Sequence, residues 1–179
     1  GSGTPAFREG GVACERCHGP GDAHVVSGGG SIVNPKKLET ARRDSVCAQC
    51  HLSGATEISR GDGAVAFRAG QALTEKSVTF VWESASTSMP VISHFERMTL
   101  SKCRQSSPDR FWCGTCHNPH ARTMEYRQKC LDCHADKGCT EMAAARTAVG
   151  DDCVSCHMPK TAAESVQHAA FTDHSIPRR

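Results

Sequence analysis

The chain has 179 residues, of which 12 are cysteine and 10 histidine, while Leu, Ile, Val and Phe together number only 27. So little aliphatic side chain cannot fill an ordinary core, yet 21 basic against 19 acidic residues leave a formal charge of +2, far from the imbalance that accompanies disorder. The near-neutral balance excludes the basic face of a nucleic-acid binder, no apolar run approaches the ~18 residues of a membrane span, and the first thirty residues hold no leader-like apolar stretch, so an exported protein would here be a processed chain.

In chain order, Cys14-x-x-Cys17-His18 comes first, followed by His24 and a Gly28 to Ser31 turn. Thr40 is expected to cap a helix through Ala41, Arg42 and Val46 into a second Cys47-x-x-Cys50-His51 string. Residues 61–112 read as an insertion that covers the cofactors and supplies a ligand. Within it, Val78 to Trp82 has strand composition, Ser84 to Pro90 is a loop, and Ser93 with Glu96 forms a capping box for a helix through His94, Phe95, Met98 and Leu100 to about Cys103. Next stand Cys113-x-x-Cys116-His117 with His120, a helix-compatible run at 124–135 carrying Cys130-x-x-Cys133-His134, and a helix begun near Thr140 and stopped at Gly150. Cys153-x-x-Cys156-His157 is the last string, and His168 and His174 lie in the tail.

The repeat carries the chemistry. At this composition, chance gives about 0.04 Cys-x-x-Cys-His strings in such a chain, and here there are five. Two thiols at this spacing meet two vinyl groups on one porphyrin edge and form thioethers, and the adjoining His is carried under the ring to bind iron. Zinc sites need two Cys pairs per metal and give no role to the fixed His; neither a disulfide scaffold nor a thioredoxin motif explains five identical strings. The cofactors are therefore five haem c, held by Cys14, Cys17, Cys47, Cys50, Cys113, Cys116, Cys130, Cys133, Cys153 and Cys156, with His18, His51, His117, His134 and His157 as proximal ligands.

Five haems supply the apolar surface that the composition lacks. The expected fold is a single pentahaem domain over 1–179, mainly irregular with short α-helices and little or no β-sheet. Haems 1 and 2 fall in 1–60, and haems 3 to 5 with a ligand-bearing tail in 113–179. Five histidines remain, His24, His94, His120, His168 and His174, one for each iron, which favours bis-His ligation and closed sites. His120 follows His117 too closely to reach the same iron from the other side, and His24 is similarly tied to His18, since six residues span about 20 Å at most. Each would serve a neighbouring haem. Met89, Met98, Met124, Met142 and Met158 are the other axial candidates, although methionine at helical spacing usually packs.

Cys103 and Cys139 are left over. Haem attachment belongs to an exported, oxidising compartment, periplasmic or extracellular, where an even remainder suggests a disulfide. A ferric bis-His haem with two ionised propionates carries about −1, so loading takes the formal charge to roughly −3 and full reduction to roughly −8. Arg42, Arg43, Arg97 and Arg122, beside motifs or ligands, are candidates to offset it, against the plainer role of a solvated face.

The strings Cys14-Glu-Arg-Cys-His-Gly-Pro-Gly followed by His24, Cys113-Gly-Thr-Cys-His-Asn-Pro-His120, Cys153-Val-Ser-Cys-His-Met-Pro-Lys160 and Phe171-Thr-Asp-His174-Ser-Ile resemble the multihaem cytochromes related to hydroxylamine oxidoreductase and the tetrahaem cytochrome of ammonia oxidisers. The resemblance spans residues 10–179 and is greatest to the haem segment of bacterial multihaem chains often fused to tetratricopeptide repeats. It implies that the second His of His-x-x-His and the tail His are distal ligands, which carries onto His120 and His174, and through the Gly-Pro-Gly context onto His24. Such chains commonly bear further haem motifs ahead of the position of Gly10, so this one is expected either to stand alone or to work as one unit of a larger assembly.

The sequence thus points to an electron carrier rather than an enzyme, passing electrons along closely spaced haems to redox protein partners or neighbouring copies of itself. Two alternatives stay open. One is a subunit of an extracellular haem-stacked filament with an inter-subunit His ligand; the other is a reductase or oxidase of small nitrogen or sulfur compounds with one open haem.

Overall fold

The computed structural model describes residues 11–54, 56–63, 66–80, 93–135, 139–163 and 166–177. The loop expected at Ser84 to Pro90, the Val81–Trp82 end of the expected strand, and Met89 lie outside these residues. The chain divides into two units, Gly1–Gln49 with Ser59–Ser77, and Cys50–Ile58 with Val78–Arg179. Its described part is mostly helical, and its strands form two two-stranded sheets with no closed sheet.

In the first unit, α1 (Cys14–His18) and α2 (Asp22–Val26) are separated at Gly19, whose φ of +75° is costly for any residue with a Cβ. A 3-10 turn at Pro35–Lys37 is opened by Asn34, whose side chain accepts from the Lys36 amide at 3.1 Å. The helix expected to run into the second motif is α3 (Thr40–His51), but its start is held by Glu39 rather than Thr40. The Glu39 carboxylate accepts from the Arg42 amide at 3.2 Å, and its carbonyl from the Arg43 amide at 2.9 Å. Val46 and Ala48 of α3 are buried, as are Phe67 and Leu73. Ser45 on the same helix accepts from the Leu73 amide at 2.8 Å and donates to the Ala41 carbonyl at 2.7 Å, which leaves neither buried group unpaired.

Strand β1 (Thr56–Ser59) pairs with β2 (Ser77–Phe80), the described part of the expected strand. The helix expected from Ser93 to Cys103 is instead two, α4 (His94–Thr99) and α5 (Lys102–Ser106). Two serine caps explain the break. Ser93 accepts from the Glu96 amide at 3.4 Å, and Ser101 from the Arg104 amide at 3.2 Å, so the second cap restarts the helix where the first turn pair ends. Both serines are fully buried.

The remaining helices are α6 (Cys113–Cys116), α7 (Tyr126–His134), α8 (Ala143–Ala148) and α9 (Cys153–His157). Met142, not Thr140, precedes α8, which ends ahead of Gly150 at φ +65°. Asp152 caps α9 through Val154 and Ser155 amides at 3.0 and 3.1 Å. The chain then forms an antiparallel ribbon, β3 (Lys160–Ala163) with β4 (Val166–Thr172), in a tail expected to lack strand. Lys160, Thr161 and Ala162 pair with Thr172, Phe171 and Ala170, but Ala163 pairs with Val166, so residues 167–169 bulge from β4 with His168 at their centre and at φ +59°.

Candidate functional site

All five Cys-x-x-Cys-His strings lie on helices: α1, the last turn of α3, α6, the last turn of α7, and α9. Helical geometry puts cysteines three residues apart on one face, and the following His, four residues from the first Cys, on that face or directly past its end. Among the described residues every cysteine is a free thiol. The expected bridge between Cys103 and Cys139 is therefore not formed. Cys103 is half-buried, with Cys116, Cys130 and Cys133 in its electrostatic surroundings, whereas Cys139 is exposed and acts on Arg146. Burial pushes the Cys103 and Cys116 thiols up and Cys130 to about 12, the last helped by Cys153 and Cys116. Burial thus favours the protonated thiol at all three.

The imidazoles are held in a consistent way. Nδ1 of His18 lies 2.7 Å from the Val33 carbonyl oxygen, that of His24 3.0 Å from Gly30, that of His157 3.2 Å from Pro177, and that of His174 2.9 Å from Thr172. A carbonyl oxygen can only accept, so in the neutral form of each ring Nδ1 carries the proton and the Nε2 lone pair is left free. Metal-binding histidines are oriented the same way, with the ring's other N–H donated to a carbonyl or carboxylate. His117 instead meets the only tyrosine, with Nδ1 3.5 Å from the Tyr126 hydroxyl and the two rings edge-on at 5.6 Å.

In the second unit four imidazoles stand in a row. His51 and His94 have ring centres 5.5 Å apart and planes at 84°; His94 and His174 touch edge-on at 4.8 Å; His174 and His117 lie 6.1 Å apart with planes at 30°. Two of these rings follow cysteine pairs, and two come from α4 and the tail. Burial pushes His94, His117 and His174 toward the neutral form, and repulsion from neighbouring imidazoles, His51 in every case, adds to it. The row is buttressed by Phe171, 6.4 Å from His94, and by a buried ion pair in which Arg97 donates from Nε and Nη2 to the two carboxylate oxygens of Asp173 at 2.9 and 2.7 Å.

Of the other expected ligands, His120 is exposed after the Pro119 turn, His134 is exposed at the end of α7, and His168 is exposed on the β4 bulge. Met98 is buried, with Sδ 4.0 Å from the Cys113 sulfur, and packs as expected; Met142 is 73% exposed. The arginines differ from one another. Arg42 donates to the Gly70 carbonyl at 2.7 Å and faces Glu75 at 3.8 Å, buried Arg43 lies 3.7 Å from Asp44, Arg97 is committed to Asp173, and Arg122 is exposed. The Arg97 to Asp173 bond and the four carbonyl acceptors are parts of the site that carry no sequence signature. A cavity of about 400 Å³ opens beside α9, lined by Asp152, Val154, Ser155, Met158, Pro159 and Thr172 among others. No three or more His, Cys, Asp or Glu side chains converge as a shared metal cage among the described residues, and no described helix is long and apolar enough to cross a membrane.

No protein-family model matches the chain, and no solved structure does. Among curated proteins, the multiheme cytochrome MtrA of Shewanella baltica is 27% identical over 177 residues, which covers 92% of this chain and 47% of that protein. The dissimilatory sulfite reductase MccA of Wolinella succinogenes is 24% identical over 180 residues, 83% of this chain and 22% of the relative. The chain thus spans about half the length of the first and about a fifth of the second. These similarities place it in a distant relationship to multihaem cytochromes and support a redox role.

Proposed function

We propose that the chain carries five covalently bound haem c groups and conducts electrons through them, each iron closed by two histidines. The observation that carries this reading is the row of four imidazoles. Two rings bound to one iron through Nε2, with metal–nitrogen bonds of about 2 Å, have centres about 6 Å apart. His117 with His174, at 6.1 Å, matches that separation, His51 with His94, at 5.5 Å, comes close to it, and each pair joins the His of a Cys-x-x-Cys-His string to one of the spare histidines. The carbonyl acceptors at His18, His24, His157 and His174 support the same reading, because they leave Nε2 unprotonated.

When bound, haem supplies a one-electron ferric/ferrous couple. The chain's own residues do the rest. Cysteine pairs fix each macrocycle edge to a helix, Nδ1 donation orients the rings, and burial keeps His94, His117 and His174 neutral and ready to bind metal. His24, His120 and His168 are the remaining distal-ligand candidates. No acid, base or nucleophile is required. Thioether attachment would suit the periplasm or the cell exterior, with redox proteins as partners.

A second reading draws on His168. It is exposed at the tip of a three-residue bulge at φ +59°, as an imidazole presented to a neighbouring copy would be, which suits a filament subunit. The relative named as a sulfite reductase supports the enzyme alternative with one open haem. Intact mass together with ligand titration separates the carrier from the enzyme. A mass about 3 kDa above the 19.2 kDa polypeptide, with no rapid spectral response to sulfite, nitrite or cyanide, is the result for a closed electron carrier. A smaller increment would remove at least one motif from the assignment, and a fast response at one haem would make the protein an enzyme.

A further inference from the structure

We infer that the buried Arg97–Asp173 pair is a single positioning device for the distal ligands of two different irons, those of the second and third motifs. The inference rests on the ligand pairing proposed above. Arg97 lies one helical turn after His94 on α4, so the two side chains share a face of that helix. Asp173 immediately precedes His174. The guanidinium fork engages both oxygens of the Asp173 carboxylate, at 2.9 and 2.7 Å, and Nη2 also reaches the Ser175 hydroxyl at 3.3 Å. Both partners are largely withdrawn from water, with side chains 12% and 9% exposed.

The same carboxylate is fixed from its own side of the chain. Its Oδ1 accepts from the Ser175 amide at 2.8 Å, and the Asp173 amide donates to the Pro159 carbonyl at 2.9 Å. The tail is therefore registered against α4 and against the segment following α9, and His174 is delivered edge-on to His94 at 4.8 Å. A lysine could hold the charge but not the fork, because an ammonium is a point donor that does not fix the plane of the carboxylate. One bond thus sets two imidazoles. The two irons they serve are neighbours whose distal ligands touch, so disturbing the pair must alter both at once.

The test uses the fully haem-loaded protein and reads ferric low-spin and high-spin iron by electron paramagnetic resonance, together with a redox titration. His94→Ala and His174→Ala come first, and each is expected to convert one iron in five to high spin. Arg97→Gln and Asp173→Asn are then expected to shift the g-values and midpoint potentials of two irons together and leave three unchanged, with Arg97→Lys intermediate. Arg127→Gln, which breaks an exposed ion pair with Asp151, serves as the control and is expected to change none. A merely structural ion pair would lower thermal stability in Arg97→Gln without moving two irons in concert. If the histidine variants behave as expected while Arg97→Gln, Asp173→Asn and Arg97→Lys move one iron or none, the positioning role is overturned and the ligation stands. If the histidine variants produce no high-spin iron, the ligation falls and the positioning role with it. Should Arg97→Gln fail to accumulate, Arg97→Lys and Asp173→Asn decide by the same readout.

Discussion

The two units solve the problem of a small apolar inventory differently. In the first, Val46, Ala48, Phe67 and Leu73 form a conventional buried group, cemented by Ser45. In the second, Met98 is the one buried apolar side chain among the described residues, and the others, Ser93, Ser101 and Asp173, are polar groups that hold backbone or an ion pair and contribute almost no hydrophobic driving force. The first unit contains one whole Cys-x-x-Cys-His string, and the second contains three. Where cofactor motifs are dense, the described residues bury little apolar side chain. On the proposed haem loading, the macrocycles of the second unit would act as its core, whereas the first unit has side chains of its own to bury.

The sharpest way to break this contrast is to withhold a haem. With Cys113 and Cys116 both replaced by Ala, the mass should fall by about 0.6 kDa, and the second unit should lose cooperative unfolding. At about 25 cal/mol/Å², several hundred Å² of macrocycle surface represents on the order of 10 kcal/mol, as much as a whole domain's net stability. Unfolding followed by far-ultraviolet circular dichroism checks this, and a variant that melts like the parent would mean that the second unit has another source of stability.

A core deletion should work the other way round. Phe67 is 2% exposed, so Phe67→Ala should cost about 3–5 kcal/mol in the first unit while leaving the ferric spectrum of the last three haems unchanged, as read by denaturant titration and absorption spectroscopy. A smaller effect sharpens the role of capping. Ser93→Ala removes the acceptor for the Glu96 and Ser53 amides and should cost about 1–2 kcal/mol, with a loss of helix confined to α4 in amide exchange.

The smallest expected effect is pH-dependent and exposed. Hydrogen bonds from Arg146 and Arg127 hold the Asp151 carboxyl below the usual carboxylate range. A carboxyl depressed in the folded state contributes stability above its unfolded value and loses it as pH falls through the folded one. Asp151→Asn should therefore lower the melting temperature by a few °C at most at pH 7, and the difference should vanish in acid below the normal carboxylate range.

The same contrast explains what could be read from the amino acids. The five strings, the helices that deliver them and the caps at Ser93 and Gly150 are local features, set by spacing and by side chains that bond their own backbone. The restart of the helix at Ser101 has no marker in the sequence, because Ser93 already satisfies the capping pattern and a second buried serine cap adds no distinct signal. The β3–β4 ribbon was hidden because Lys160-Thr-Ala-Ala and Val166-Gln-His-Ala-Ala-Phe-Thr lack the β-branched alternation that signals strand; backbone pairing, not side-chain preference, holds it. Arg97 reads from sequence as a candidate to offset haem charge or, more plainly, as part of a solvated face, yet it forms a fork with Asp173 across 76 residues of chain, and no local pattern reports such a bond. The acceptors at Val33, Gly30, Pro177 and Thr172 are carbonyls that any residue could supply, so their positions follow from the fold alone.

The central claim, that paired imidazoles close every iron, is tested most directly by quantifying low-spin ferric iron per chain in haem-loaded protein by electron paramagnetic resonance. The account predicts five low-spin irons per chain and no high-spin component at neutral pH. A high-spin signal amounting to one iron or more in protein with all five haems attached would contradict it.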